Sequence, residues 1–256
     1  MNGDTKRVLV TVKAYPNPST KYGETVCVAG VDTKTGKWVR IYPIPYRDLD
    51  ESKKFKKYAT IEVRTIKPTK DKRPESFQAD AGSIKHIDYF DTKDKWERRK
   101  KVVLPTVDKS FCDIIKQNLA TKKSLGMFKP KNVEFISCKA KSKDSKARES
   151  CYAQLSFFDK KKKAIEAIPY EFRYQFHCEN EPSCPGHNLL IIDWEIGQAY
   201  RDWRHKYKPD EHLLKMISKR WLDLMCAPKN DVYFFVGNMH RFPKTFMILG
   251  VFYPPK

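Results

Sequence analysis

Between Ile168 and Cys178 the chain alternates cleanly: Tyr170, Phe172, Tyr174, Phe176 and Cys178 fall on one side of an extended backbone, and Glu171, Arg173, Gln175 and His177 on the other. Successive side chains of a strand point to opposite faces, so this order fits a sheet with one buried face and does not fit a helix. An aromatic ladder needs a second layer to cover it, another sheet or packed helices. A layered β structure is therefore expected around this strand.

The same alternation recurs near the N-terminus. Arg7 to Val12, Thr25 to Val31, Trp38 to Ile44 and Ala59 to Ile66 read as strands. Tyr15 to Gly23 reads as a loop, and Asp32 to Lys37 as a hairpin turn that needs Gly36 at positive φ. Along Trp38 to Ile44, Trp38, Arg40 and Tyr42 share one face while Val39, Ile41 and Pro43 share the other. One face belongs to the core, and the other is a candidate stacking surface. Short strands separated by turns predict a small closed barrel or sandwich.

Further along, Lys93 to Val103 predicts a basic helix carrying the Arg98 to Lys101 cluster. The spacing of Phe111, Ile114, Ile115 and Leu119 predicts a helix over Ser110 to Lys122. Gly126 to Lys131 reads as a connector, Asn132 to Cys138 as a strand, Lys139 to Glu149 as a mobile basic insertion, and Cys151 to Phe158 as another strand. Asp193 is placed to cap a helix from Trp194 to Tyr207. A second helix, His212 to Cys226, would present Leu213, Met216, Ile217, Trp221, Leu224 and Met225 on its apolar side. Val232 to Val236 and Phe246 to Tyr253 complete the strands.

Charge narrows the function classes. The chain of 256 residues carries 51 Lys and Arg against 31 Asp and Glu, a net +20, which points to an acidic partner and to nucleic acid first. No apolar run is long enough to span a membrane and the opening Met1-Asn-Gly-Asp is no signal peptide, so a cytoplasmic protein without a membrane partner is expected. Seven cysteines without an export signal predict reduced thiols. There is no P-loop, no GxGxxG and no nucleophile elbow, so no nucleotide cofactor is expected.

The densest chemistry lies between His177 and Glu195. Cys178, Cys184 and His187 are spaced as three ligands of a zinc ion (Zn2+), with Pro185-Gly186 folding the last two side chains inward. A fourth ligand would come from Cys151, Cys138 or His177. A buried thiol pair beside a hydrogen-bonded histidine would give the same pattern. His187, Asp193 and Glu195 could alternatively hold a divalent cation that activates water, as in a metal-dependent nuclease or nucleic-acid-processing enzyme, although capping already explains Asp193.

Trp38, Arg40, Tyr42 and Arg47 interleave aromatic rings with cations, the combination that holds single strands by stacking and phosphate contact. The surrounding segment, Cys27-Val-Ala-Gly followed by the Gly36 turn and Trp38-Val-Arg, resembles the opening of the dual OB-fold-containing domains of prokaryotic conflict and antiphage systems. The matching positions are Cys27, Ala29, Gly30, Trp38, Val39 and Arg40, within residues 8–47; here Ile41-Tyr42 separates Arg40 from the proline. The resemblance implies two OB-like barrels and a nucleic-acid-facing role in a defence or genome-maintenance locus, with a protein partner of a defence complex.

The expected architecture is α+β and β-rich, with two OB-like barrels or small β-barrel units, a helical connector and a helical pair near the C-terminus. Residues 1–105 would form the first barrel, 106–131 the connector and 132–256 the second β-rich unit. The expected function is sequence-tolerant binding of single-stranded nucleic acid, DNA or RNA. A nuclease and a basic scaffold subunit of a protein complex are the rivals.

Overall fold

The computed structural model describes residues 3–14, 17–19, 23–140 and 168–256. Strand β1 (Asp4–Lys13) runs through the centre of the first unit. Its first half pairs with β5 (Ala59–Ile66) and its second half with β3 (Gly23–Asp32), both antiparallel. Strand β4 (Trp38–Ile44) follows β3 through a turn in which Gly36 has φ +67°, and it pairs in parallel with β6 (Ser76–Ala79), which returns to β5. The order β1-β3-β4-β6-β5 and back to β1 closes a five-stranded barrel, with β2 (Asn17–Ser19) and β7 (Lys85–Tyr89) added outside the ring. Its interior is aliphatic: Val8, Val10, Val28, Ile41, Ile61 and Val63 are all buried. The strands approach closely at Gly30, where a Cβ would lie 2.1 Å from the Leu9 carbonyl oxygen, so only glycine fits there.

The second unit repeats this order. Strands β8 (Leu125–Phe128) and β9 (Pro130–Lys139) form one long strand bent at Lys129. The β8 half pairs with β12 (Tyr233–Asn238) and the β9 half with β10 (Tyr170–Cys178). Strand β10 pairs with β11 (His187–Leu190), and β12 with β13 (Phe246–Phe252). Among the described residues an isolated parallel bridge, Ile191 to Ile248, joins the β11 and β13 sides. Between β11 and β12 lie α3 (Trp194–Trp203), α4 (Asp210–Ser218) and a π-helical turn, Lys219–Leu224. The aromatic ladder of β10 faces inward as its alternation requires, with Phe172, Tyr174, Phe176 and Cys178 buried and Tyr174 stacked on Phe234 at 4.6 Å. The Tyr174 hydroxyl donates to the Trp221 carbonyl at 2.6 Å, so the ladder meets the opposite sheet and the helical segment together.

The two units share a third apolar cluster, which includes Leu9, Val12, Ala29, Tyr58, Leu125, Met127, Phe235, Leu249 and Phe252. This explains why β1 is buried from Val8 onward with no exposed face. Val8 and Val10 fill the first barrel, while Leu9 and Val12 meet the second. Each such side chain contributes roughly 1.5–3 kcal/mol on leaving water.

Several expectations change. Leu125 to Phe128, within and beside the expected connector, is a fully buried strand because both its faces are covered. Helix α1 (Lys93–Val103) opens with Asp94, Lys95 and Trp96 at positive φ, and Trp96 packs on Phe252 and Tyr253. In that cluster Arg99 is buried over the Tyr58 ring rather than facing solvent. Leu224 is 53% exposed, because the π-turn shifts the helical face that 3.6-residue spacing assigned to it. Most of the basic insertion, Lys139 to Glu149, and the strand Cys151 to Phe158 lie outside the described residues. No helix among the described residues is long and apolar enough to cross a membrane.

Candidate metal centre

Three elements and a turn deliver four ligands to one point. Cys178 ends the ladder strand β10, and Cys184 sits in the turn beyond it, where Gly186 has φ +82°. His187 opens β11, held edge-on against the Phe111 ring at 4.7 Å and beside Phe176 at 5.4 Å. The fourth ligand comes from the connector: α2 (Phe111–Thr121) is capped by Ser110, whose hydroxyl accepts from the Asp113 amide at 3.0 Å, and Cys112 is its second residue. Gly126 lets α2 seat against β8, since a Cβ there would meet Ile114 at 2.6 Å. The ligand atoms of Cys112, Cys178, Cys184 and His187 all lie within 4.8 Å of one another.

These separations suit a tetrahedral ion. Cys112 Sγ is 3.9 Å from Cys178 Sγ and 3.3 Å from His187 Nε2. Bonds of about 2.3 Å to sulfur and about 2.0 Å to nitrogen imply edges of roughly 3.8 and 3.5 Å in a tetrahedron. The Cys178 amide donates to Cys184 Sγ at 3.3 Å, a contact that favours thiolate.

The acid–base balance also suits a cation. Burial and the neighbouring Cys178 thiol push Cys112 up to about 12, and burial raises Cys178 as well. Burial would raise Cys184 too, but the Cys178 and Gly186 amides outweigh it and hold this thiol below its ordinary value. His187 is lowered by burial and by His177, so its imidazole favours the neutral, metal-binding form. Three converging thiols lose their protons together only if a cation compensates them, and the cluster is a Cys3His set able to hold a metal such as zinc.

The three ligands read from the sequence therefore meet, while the fourth differs from every expected candidate. Cys138 is exposed on β9, His177 points from the outer face of β10, and Cys151 lies outside the described residues. The sequence signal for Cys112 is its place beside the apolar Phe111 just inside a capped helix start, a position the chain holds fixed.

The nuclease set does not assemble around one point. His187 belongs to the thiol cluster, whereas buried Asp193 holds Lys57 through both oxygens at 2.6 and 2.7 Å and accepts from the Glu195 amide at 3.1 Å, capping α3. Glu195 adds a second carboxylate 3.4 Å from Lys57.

The proposed stacking residues are divided. Arg40 is buried at the seam between the barrels and donates to the Ser124 hydroxyl at 2.8 Å and to its carbonyl at 2.9 Å. Trp38 is half-buried and meets Phe235 of the second barrel edge-on at 5.8 Å. Tyr42 and Arg47 are exposed. The face that β4 presents away from its own core is thus largely spent on the second barrel.

A search of curated proteins finds no match to the chain. Residues 4–105 match a family model described as a domain of unknown function, DUF8758. Residues 107–256, more than half of the chain, match the domain of unknown function DUF8757, and the chain belongs to that family.

Proposed function

We propose that the protein binds single-stranded nucleic acid with little sequence preference, in a prokaryotic defence or genome-maintenance setting, and that zinc pins its second barrel. The observation that carries the reading is the pairing of two small barrels of the same strand order in a chain of net charge +20. Small five-stranded barrels and positive surfaces together suit single strands, which need a charged track and accessible rings. The metal reading rests on the donor set: three sulfurs and an imidazole nitrogen favour a borderline-soft ion, and four protein ligands leave no open position for substrate. The zinc is therefore structural, joining α2 to the end of β10 and the start of β11.

Fluorescence anisotropy with labelled 20-mers tests the binding. Affinity for single strands should be measurable at 50 mM salt and fall at least tenfold by 200 mM. No binding at low salt would sink the proposal, and stoichiometric co-purification with a protein partner instead would favour the scaffold reading. Elemental analysis of protein purified without added metal should find one zinc per chain.

A further inference from the structure

The connections between the fourth and fifth strands of the two barrels, residues 67–75 and 239–245, come together at the seam. Arg73 ties them, pairing with Asp71 at 2.6 Å and donating to the Asn238 carbonyl at 2.9 Å. His240 Nδ1 lies 3.4 Å from the same Asp71 carboxylate. Between the loops and the end of α2 opens a cleft of about 280 Å³.

Its charge is one-sided. Lys70, Lys72, Arg73, Lys122 and Lys244 line it against a single carboxylate, Asp71, already held by Arg73. Among the described residues no carboxylate pairs with Lys70, Lys72, Lys122 or Lys244, which are gathered around one cleft. Cations gathered without counter-charge repel one another, so these four lysines, unlike Arg73, are relieved by an anion. Apolar groups flank the charges: Leu119 is 65% exposed, and Phe242, between the lining residues His240 and Pro243, is 58% exposed. A small inorganic anion needs one focus of charge. Cations spread over two loops and a helix end, beside an exposed ring, suit a chain of phosphates carrying bases.

We infer that this inter-barrel cleft is the binding site for the single strand, with Lys72, Lys122 and Lys244 on its phosphates and Phe242 stacked on a base. The inference rests on the proposed nucleic-acid function and moves its centre away from Trp38 and Arg40.

The test compares Lys72→Ala/Lys122→Ala/Lys244→Ala with a charge-matched control, Lys85→Ala/Lys93→Ala/Lys101→Ala, in the full chain. All six side chains are exposed, and thermal melts of both variants should match wild type. In anisotropy titrations with a single-stranded 20-mer, the cleft variant should lose about 100-fold in affinity at 100 mM salt. Its log–log salt slope should fall by about 2, since each lost phosphate contact removes about 0.7. The control should stay within about threefold of wild type. Phe242→Ala should weaken binding about tenfold with the slope unchanged. If wild type binds but the cleft variant tracks the control, or if duplex is preferred over single strand, the cleft assignment is overturned. If wild type binds no oligonucleotide at low salt, the nucleic-acid function itself falls and the cleft with it.

Discussion

The two barrels share a strand order but close by different means. In the first, the parallel joint between the third and fifth strands, β4 and β6, holds two ladder pairs, Arg40 with Ser76 and Ile41 with Phe77, and the interior is filled by valine and isoleucine. In the second, the joint between β11 and β13 rests on the Ile191 to Ile248 bridge and one amide bond, Ile192 to the Ile248 carbonyl at 2.9 Å. The interior there is aromatic, built on Phe128, Phe172, Tyr174, Phe176 and Phe234. The Cys3His cluster sits where β10 ends and β11 begins, on the weakly paired side. A short parallel ladder closes this joint in one barrel, and ligands fixed around an ion would hold the other.

The largest effect should come from removing the ligands. Cys112→Ser combined with Cys184→Ser should cost about 4 kcal/mol, the scale of losing a structural metal. Amide hydrogen exchange should show the loss in β10 and β11 while β1, β3 and β5 keep their protection. Equal loss in both barrels would break the contrast drawn between them.

Next comes the ion pair that crosses the seam. Lys57→Met leaves Asp193 buried without its partner and should cost about 3–5 kcal/mol in urea unfolding, much of it restored by adding Asp193→Leu. Burial alone would lower the Lys57 pKa, but Asp193 and Glu195 overturn that and raise it above the ordinary 10.5. Because the folded value is the higher one, the contribution of Lys57 is complete below pH 10.5 and is lost as pH rises through the folded value. The stability of wild type minus that of Lys57→Met/Asp193→Leu, which carries neither titrating group, should therefore be constant from pH 8 to 10 and fall above that range. A gap that widens on the alkaline side would contradict the ion-pair assignment.

Arg40→Met should cost about 2–3 kcal/mol, since it leaves the Ser124 carbonyl and hydroxyl at the buried seam without their charged donor. The salt slope for oligonucleotide binding should not change, and a fall of about 0.7 would return Arg40 to the phosphate contacts. Tyr42→Ala, on the same strand but 41% exposed, should shift stability by less than about 0.5 kcal/mol. Together these two variants measure how much of the β4 face the second barrel has taken.

Local order was legible in the sequence to a considerable depth. The alternation of Tyr170 to Cys178 set which side chains face inward, the Gly36 turn set the β3–β4 hairpin, Ser110 and Asp193 marked helix starts, and Cys178, Cys184 and His187 announced three ligands. Each is a property of backbone period or short spacing, which neighbouring residues determine. The fourth ligand, the burial of Arg40 and the basic cleft were decided only by tertiary structure. Cys112 is 66 residues from Cys178 and Ser124 is 84 from Arg40, and the loops of the cleft belong to different barrels. Periodicity tells a strand that it has two faces, but what covers the second face depends on how distant segments pack, and here the second barrel covers it.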